Sequence, residues 1–228
     1  TSKGIVLSES LSGNMSPFVH KSKIFVLYNF VEGFLFSDKK TIDRKLTQSK
    51  PKIIFLSNLM EEKGIFDLLE ALRILEEKGF EYEAKIAGNL DTTHENKLQA
   101  YIKTLKKTKY VGVVSGKNKK DLLLWSNIFI LPTFYKMEGQ PISILEAMAT
   151  GNIVLTTRHA GIPDIFQNET NGYYVEKNNS NSIVEIIQSL DIQSDRFQTI
   201  LRHNYVVAKK NYRLENFINN IIDIFEAQ

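Results

Sequence analysis

The stretch LPTFYKMEGQPISILEAMATG, residues 131–151, decides how the rest of the chain is read. An apolar run, Ile128 to Leu131, stops at Pro132; a short polar loop follows; Pro141 then opens an amphipathic run that closes at Gly151. This is a strand, a loop and a helix. Proline suits the first helical position, where a missing N–H costs nothing, and glycine suits the far end. The spacing predicts a buried stripe of Ile142, Leu145, Met148 and Ala149. Glu138 lies in the loop and Glu146 in the helix, at the edge of that stripe, where a carboxylate needs a partner. The backbone N–H groups of Gly139, Gln140, Ile142 and Ser143 lie at or before the helix start, where unpaired donors and the positive dipole end favour an anion. An anion flanked by two carboxylates points to a phosphorylated ligand with hydroxyls on both sides, a nucleotide sugar.

The run Glu138-Gly-Gln-Pro-Ile-Ser-Ile-Leu-Glu146-Ala-Met-Ala-Thr-Gly151 resembles the donor-site motif of retaining glycosyltransferases of the GT-B fold, family four (glycosyl transferases group 1). The resemblance implies that Glu138 contacts the donor sugar hydroxyls and Glu146 the nucleotide ribose. The bland reading of the same residues is a helix cap with a buried structural glutamate.

A second segment carries the likeness further. Ser57-Asn-Leu-Met-Glu-Glu-Lys-Gly64 matches a family pattern of Gly-Arg-Leu, several residues, then Lys-Gly, whose Arg and Lys hold the pyrophosphate. Lys63 matches, and a cation near a helix N-terminus calls for something negative in front of it. Asn58 stands where the family has Arg, which removes a charge and a bidentate fork. Gly88 suits a close backbone approach to the nucleotide, or simply a turn. Val113 and Val114 match positions that in the family contact the base, and as strand-end valines they suit a core equally well. Thr133, Gln140 and Pro141 complete the donor-binding set that the resemblance implies, with Gly139 and Ile142. His159 sits in a loop facing the same crevice and reads first as a surface histidine.

Around these motifs, short β-rich runs alternate with helical ones. Strands are expected at 53–56, 82–87, 110–114, 128–131, 153–156 and 173–175, separated by helices at about 65–79, through about 107, at 119–126 and, after the last strand, at 182–190. Such alternation predicts an α/β fold, a Rossmann-like parallel sheet with helices on both faces, in which ligands collect beyond the carboxyl ends of the strands. By resemblance it is the second half of a GT-B fold, plus a C-terminal helix.

Residues 1–37 hold two short strands, Ile5 to Leu7 and Ile24 to Tyr28, and resemble the end of the first Rossmann-like half and the crossing into the second. Most of the acceptor-binding half is then expected to be missing. Residues 38–51 are charged, polar and aperiodic, and read as a linker. Residues 52–192 form the nucleotide-sugar-binding domain and 193–228 a helical segment. That segment either packs on the first half, leaving aromatics exposed without it, or closes its own domain.

Composition sets outer limits. A charge of +3 across 228 residues does not argue for nucleic acid. The absence of cysteine excludes a disulfide framework and fits a reducing compartment. No apolar run approaches the roughly 18 residues of a membrane span. These features suit a cytoplasmic protein, at most touching the inner membrane face. The histidines His20, His94, His159 and His203 lack metal-ligand spacing. Gly116-Lys-Asn-Lys-Lys120 reads as a basic turn without P-loop glycines, there is no GxGxxG, and three Asn-x-Ser/Thr matches read as chance. No cofactor and no metal is expected; the donor is substrate, and a glycan or lipid-linked acceptor would meet it through the first half. The alternatives are a non-catalytic nucleotide-sugar-binding module or a GT-B epimerase.

Overall fold

A computed structural model describes residues 3–90 and 92–226. Its centre is a parallel six-stranded sheet in the order β5-β4-β3-β6-β7-β8. The strands are β3 (Lys52–Leu56), β4 (Glu83–Ala87), β5 (Thr108–Tyr110), β6 (Ile128–Leu131), β7 (Ile153–Thr156) and β8 (Gly172–Tyr174). Every residue of β6 and β7 is buried, as a strand covered on both faces requires. The α/β class expected from the alternation is the one found.

The chain order matters for the site. From β3 the chain steps outward to β4 and β5, then returns to lay β6 against the other edge of β3, with Ile53 opposite Ile128 and Ile54 opposite Phe129. The order in which strands are added therefore reverses between β3 and β6, which stay parallel, and the loops leaving those strands diverge. A crevice opens there at the carboxyl edge.

Helices α3 (Ile65–Glu77), α4 (Glu95–Thr104), α5 (Gly116–Trp125), α6 (Ile142–Ala149), α7 (Ser180–Ser189) and α8 (Asp195–Asn211) cover the sheet. Helix α6 is buried all round from Ile144 to Ala149, wedged between the sheet and α8. Gly151 ends it in a left-handed turn at φ 65°. Ile142 departs from the predicted stripe. It is 46% exposed, because the first turn of α6 projects past the sheet edge into the crevice.

Two boundaries also differ. The third expected strand runs over Thr108–Tyr110 rather than 110–114, so Val113 and Val114 lie in the loop beyond it. The stretch read as a linker contains α2 (Lys39–Lys45), capped by Asp38, whose Oδ1 accepts from Thr41 N at 2.7 Å. Ile42 and Lys45 anchor it. Lys45 is 4% exposed and its Nζ donates to Leu123 O at 3.0 Å and Thr150 O at 2.7 Å, the C-terminal carbonyls of α5 and α6. Burial pushes its pKa well below the usual lysine value. Two carbonyls at negative dipole ends are what makes an ammonium tolerable there. The polar composition hid this, because the charge serves an interior contact.

Ahead of the sheet, β1 (Gly4–Val6) and β2 (Ile24–Val26) pair in parallel around α1 (Ser12–Met15). Residues 27–36 cross from this unit onto the main domain, where Val31 N donates to Tyr212 O at 2.7 Å. The C-terminal segment divides at Tyr212. Helix α8 closes its own domain with Phe197, Ile200 and Leu201 buried, whereas α9 (Leu214–Glu226) leans on the first unit. Phe217 meets Phe30 with ring centroids 5.0 Å apart, and Lys3 Nζ donates to Ile224 O at 2.7 Å. Leu214, Ile218, Ile222 and Phe225 of α9 remain exposed. Among the described residues no helix is long and apolar enough to cross a membrane.

Candidate functional site

The two loops that diverge where the strand order reverses are tied together. After β3, residues Glu61–Lys63 form a tight 3-10 turn that ends at Gly64 with φ 76°. A Cβ on Gly64 would lie 2.4 Å from Pro132 O, so only glycine lets this turn press against the end of β6. Glu62 O then accepts from Phe134 N at 2.8 Å.

This docking carries Lys63 across the crevice to Glu138. Lys63 Nζ lies 2.7 Å from Glu138 Oε2, and Thr133 Oγ1 donates to the same oxygen at 3.1 Å. Glu138 is 8% exposed, and the ammonium also lies 4.6 Å from the centre of the Tyr135 ring. The negative charge called for in front of Lys63 is supplied, in the ligand-free chain, by Glu138 itself.

Beyond Glu138 the backbone N–H groups of Gly139, Gln140, Ile142 and Ser143 donate to no acceptor among the described residues. Pro141 caps α6 with an extended backbone. Gly139 O accepts from Gly161 N at 3.0 Å, which joins the loop after β7 to the site. Gln140 is 4% exposed. Its Oε1 accepts from Asn29 N at 2.6 Å, its backbone O accepts from Asn29 Nδ2 at 3.1 Å, and its Nε2 has no partner among the described residues. The loop is thereby fastened to the crossing segment.

Glu146 is 5% exposed, and its Oε1 accepts from Lys119 Nζ at 2.5 Å. Lys119 also reaches Glu32 Oε2 at 3.3 Å. Burial pushes the Glu146 carboxyl above the usual glutamate range; Lys119 pulls it down and Glu32 pushes it up. The three charges, with Asn29, Phe30 and Ile142, line a cleft of about 370 Å³. Lys119 was not among the residues singled out from the sequence. The basic run at 116–120 is not a turn but the start of α5, and one helical period from Ser115 aims its fourth residue at α6. Alternation of acid and base at such distance leaves no mark in a linear pattern.

The remaining candidates distribute along the same carboxyl edge. Asn58 is exposed just after β3. Gly88, with φ 145°, is required by a neighbour: a Cβ there would sit 1.7 Å from Ser57 O. Its N–H donates to Gly112 O at 3.0 Å, so the loops after β3, β4 and β5 touch in succession. Val113 is 70% exposed and is not core, while Val114 packs partly against it. His159 Nδ1 lies 2.9 Å from Lys177 Nζ and Nε2 lies 2.8 Å from Tyr135 O. An ammonium can only donate, so Nδ1 accepts and Nε2 carries the proton. The ring is a brace for the Tyr135 loop.

An all-parallel sheet with its charged residues gathered at the reversal point defines a Rossmann-type α/β domain. The sequence pattern described as glycosyl transferases group 1 matches residues 37–210, and the chain belongs to that family. It is 30% identical over 184 residues to the putative colanic acid biosynthesis glycosyltransferase WcaL of Escherichia coli, covering 77% of this chain and 45% of that protein. It is 27% identical over 213 residues to the capsular polysaccharide biosynthesis glycosyltransferase CapM of Staphylococcus aureus, covering 88% and 54%. The chain thus spans about half the length of these relatives. In fold it matches Anabaena HepE, crystallised with UDP and glucose, with a TM-score of 0.83 at 17% identity over 100% of this chain and 64% of that one. It also matches the C-terminal domain of a glycosyl transferase group 1 protein, LpcC, from Francisella tularensis, with a TM-score of 0.64 over 79% of this chain and 97% of that domain. The architecture is that of GT-B glycosyltransferases.

Proposed function

We propose that this chain is the donor-binding part of a retaining glycosyltransferase of family four. It would take a hexose from a nucleoside diphosphate sugar and pass it to a glycan or lipid-linked acceptor in the synthesis of a cell-surface polysaccharide. The observation that carries the reading is the pair of buried acids, Glu138 before α6 and Glu146 within it, around a helix start whose first N–H groups meet no acceptor among the described residues. Relatives named for colanic acid and capsule synthesis support the product class. Solved structures of like fold hold UDP or UDP-glucose.

In this reading the diphosphate lies before the N-terminus of α6, where Gly139, Gln140, Ile142 and Ser143 donate their N–H groups. Lys63 leaves its contact with Glu138 far enough to bridge to the phosphate oxygens, and Asn58 adds a neutral donor. As the bond from sugar to diphosphate breaks, negative charge grows on the leaving oxygens, and these fixed donors stabilise it without reorganising. Glu138, held by Thr133, accepts from sugar hydroxyls; Glu146 accepts from the ribose. The work is positioning and electrostatics, and it calls on no metal. Gly88, Val113 and Val114 would border the base. The acceptor would enter through a further domain, at the cytoplasmic face of a membrane.

The test is a thermal-shift panel of uridine, guanosine and adenosine diphosphates and their hexose conjugates. A ligand at 100 times its dissociation constant adds about 2.7 kcal/mol of apparent stability. A shift confined to one base identifies the donor nucleotide; no shift with any member overturns the proposal.

A further inference from the structure

Glu146 and its neighbours carry more than the family motif describes. This carboxylate is 5% exposed, on a helix buried from Ile144 to Ala149, and the loss of hydration favours its neutral form. A protonated Glu146 would be a poor hydrogen-bond acceptor, since bonds to an ionised oxygen are roughly twice as strong as bonds to a neutral one. The charged groups facing it are Lys119 from α5 and Glu32 from the crossing segment. Lys119 Nζ holds Oε1 at 2.5 Å, and Oε2 has no partner among the described residues. Glu32 holds the same ammonium from its other side at 3.3 Å, so Lys119 is fixed between two elements far apart in sequence.

Resting on the donor-site reading above, we propose that Lys119 is a positioning residue. It tethers one oxygen of Glu146 so that the other is presented, as an ionised acceptor, to the vicinal hydroxyls of a nucleotide ribose in the cleft bounded by Asn29, Phe30 and Ile142. Glu32 is the second tether, and through it the crossing segment forms one wall of the nucleoside site. The charge balance is met within the protein: one ammonium between two carboxylates leaves one net negative charge facing the ribose.

Two measurements on the full chain decide this, using Lys119→Met and Lys119→Arg. The first follows the Glu146 side-chain carboxyl carbon by NMR against pH, without ligand. Lys119→Met should move its midpoint upward and Lys119→Arg should return it. The second measures uridine, guanosine and adenosine diphosphate binding calorimetrically across the same range. Lys119→Met should bind about tenfold more weakly at the acid end of the range, the deficit narrowing as pH rises and Glu146 ionises, while Lys119→Arg keeps the parental profile. An unmoved carboxyl midpoint, or a deficit equal at every pH, overturns the proposal, since a merely structural lysine would behave so. If the parent chain binds none of these nucleotides, the donor-site reading falls and takes the ribose role with it. The carboxyl titration would still report whether Lys119 governs the charge on Glu146.

Discussion

Lys63 and Glu138 are 75 residues apart in sequence, and their Nζ and Oε2 atoms lie 2.7 Å apart in the crevice. With side chains 13% and 8% exposed, each is the other's main compensation for lost hydration. Breaking such a pair from one side leaves an unpaired charge, which costs about 3 kcal/mol when burial is deep. Lys63→Met should therefore lower unfolding free energy in urea by about 2–3 kcal/mol, and the double change with Glu138→Leu should recover most of it. Nucleoside diphosphate affinity behaves differently. It should fall about tenfold or more in Lys63→Ala, as loss of one charge-assisted bond implies, and stay low in the double variant. Unchanged affinity in Lys63→Ala would remove that residue from the site.

Gly64 makes the Lys63 contact possible. An alanine there must hold φ near 76° with its Cβ 2.4 Å from Pro132 O, so the turn has to move. Gly64→Ala should destabilise by at least about 2 kcal/mol, read by denaturant titration, and weaken nucleotide binding as Lys63 is displaced. Retained stability and affinity together would show that the turn is not constrained as described.

The raised pKa of Glu146 has a signature in stability against pH. Its folded value lies above the ordinary 4.5, so the native state binds more protons than the unfolded chain between the two values. Its contribution is fully present below the unfolded pKa and is lost as pH rises through the folded one. Unfolding free energies of the parent minus those of Glu146→Gln should therefore fall as pH rises from about 4.5, at no more than about 1.4 kcal/mol per pH unit for one proton. A flat or rising difference would contradict the burial of an ionisable group at this position.

Lys45 supplies a contrast away from the crevice. Its two bonds close the C-terminal ends of α5 and α6, whereas the candidate site lies at their N-terminal ends. Lys45→Ala leaves the buried carbonyl of Thr150 without its donor, whereas Leu123 O keeps Ser126 Oγ and Asn152 Nδ2, and should cost about 1–3 kcal/mol of stability. Nucleotide affinity, measured below the unfolding transition, should remain at the parental value. A variant as stable as the parent would mean that the Thr150 carbonyl finds another partner.

Comparison of particular residues shows what a linear pattern can carry. The strand, loop and helix over 128–151, with a helix-ending glycine, were readable because each rests on contacts between near neighbours along the chain. Burial of Leu145, Met148 and Ala149 followed from period, but exposure of Ile142 did not, since it depends on how far α6 extends past β6. Lys119 was invisible because its significance comes from Glu146 on α6 and Glu32 on the crossing segment. Helix α2 was hidden because Lys45 spends its charge on interior carbonyls.

By itself the sequence determined the class of fold, the alternation of strands and helices, and the placing of one acid before a helix start and a second within that helix. All of these follow from local geometry and the affinities of side chains for water. Only the tertiary structure decided the strand order. A chain that runs β3, β4, β5 and then returns beside β3 brings Lys63 to Glu138, and the closing of α5 against α6 brings Lys119 to Glu146. Those pairings are set by which apolar faces pack together across the whole domain, a global competition for burial that no short window of residues contains.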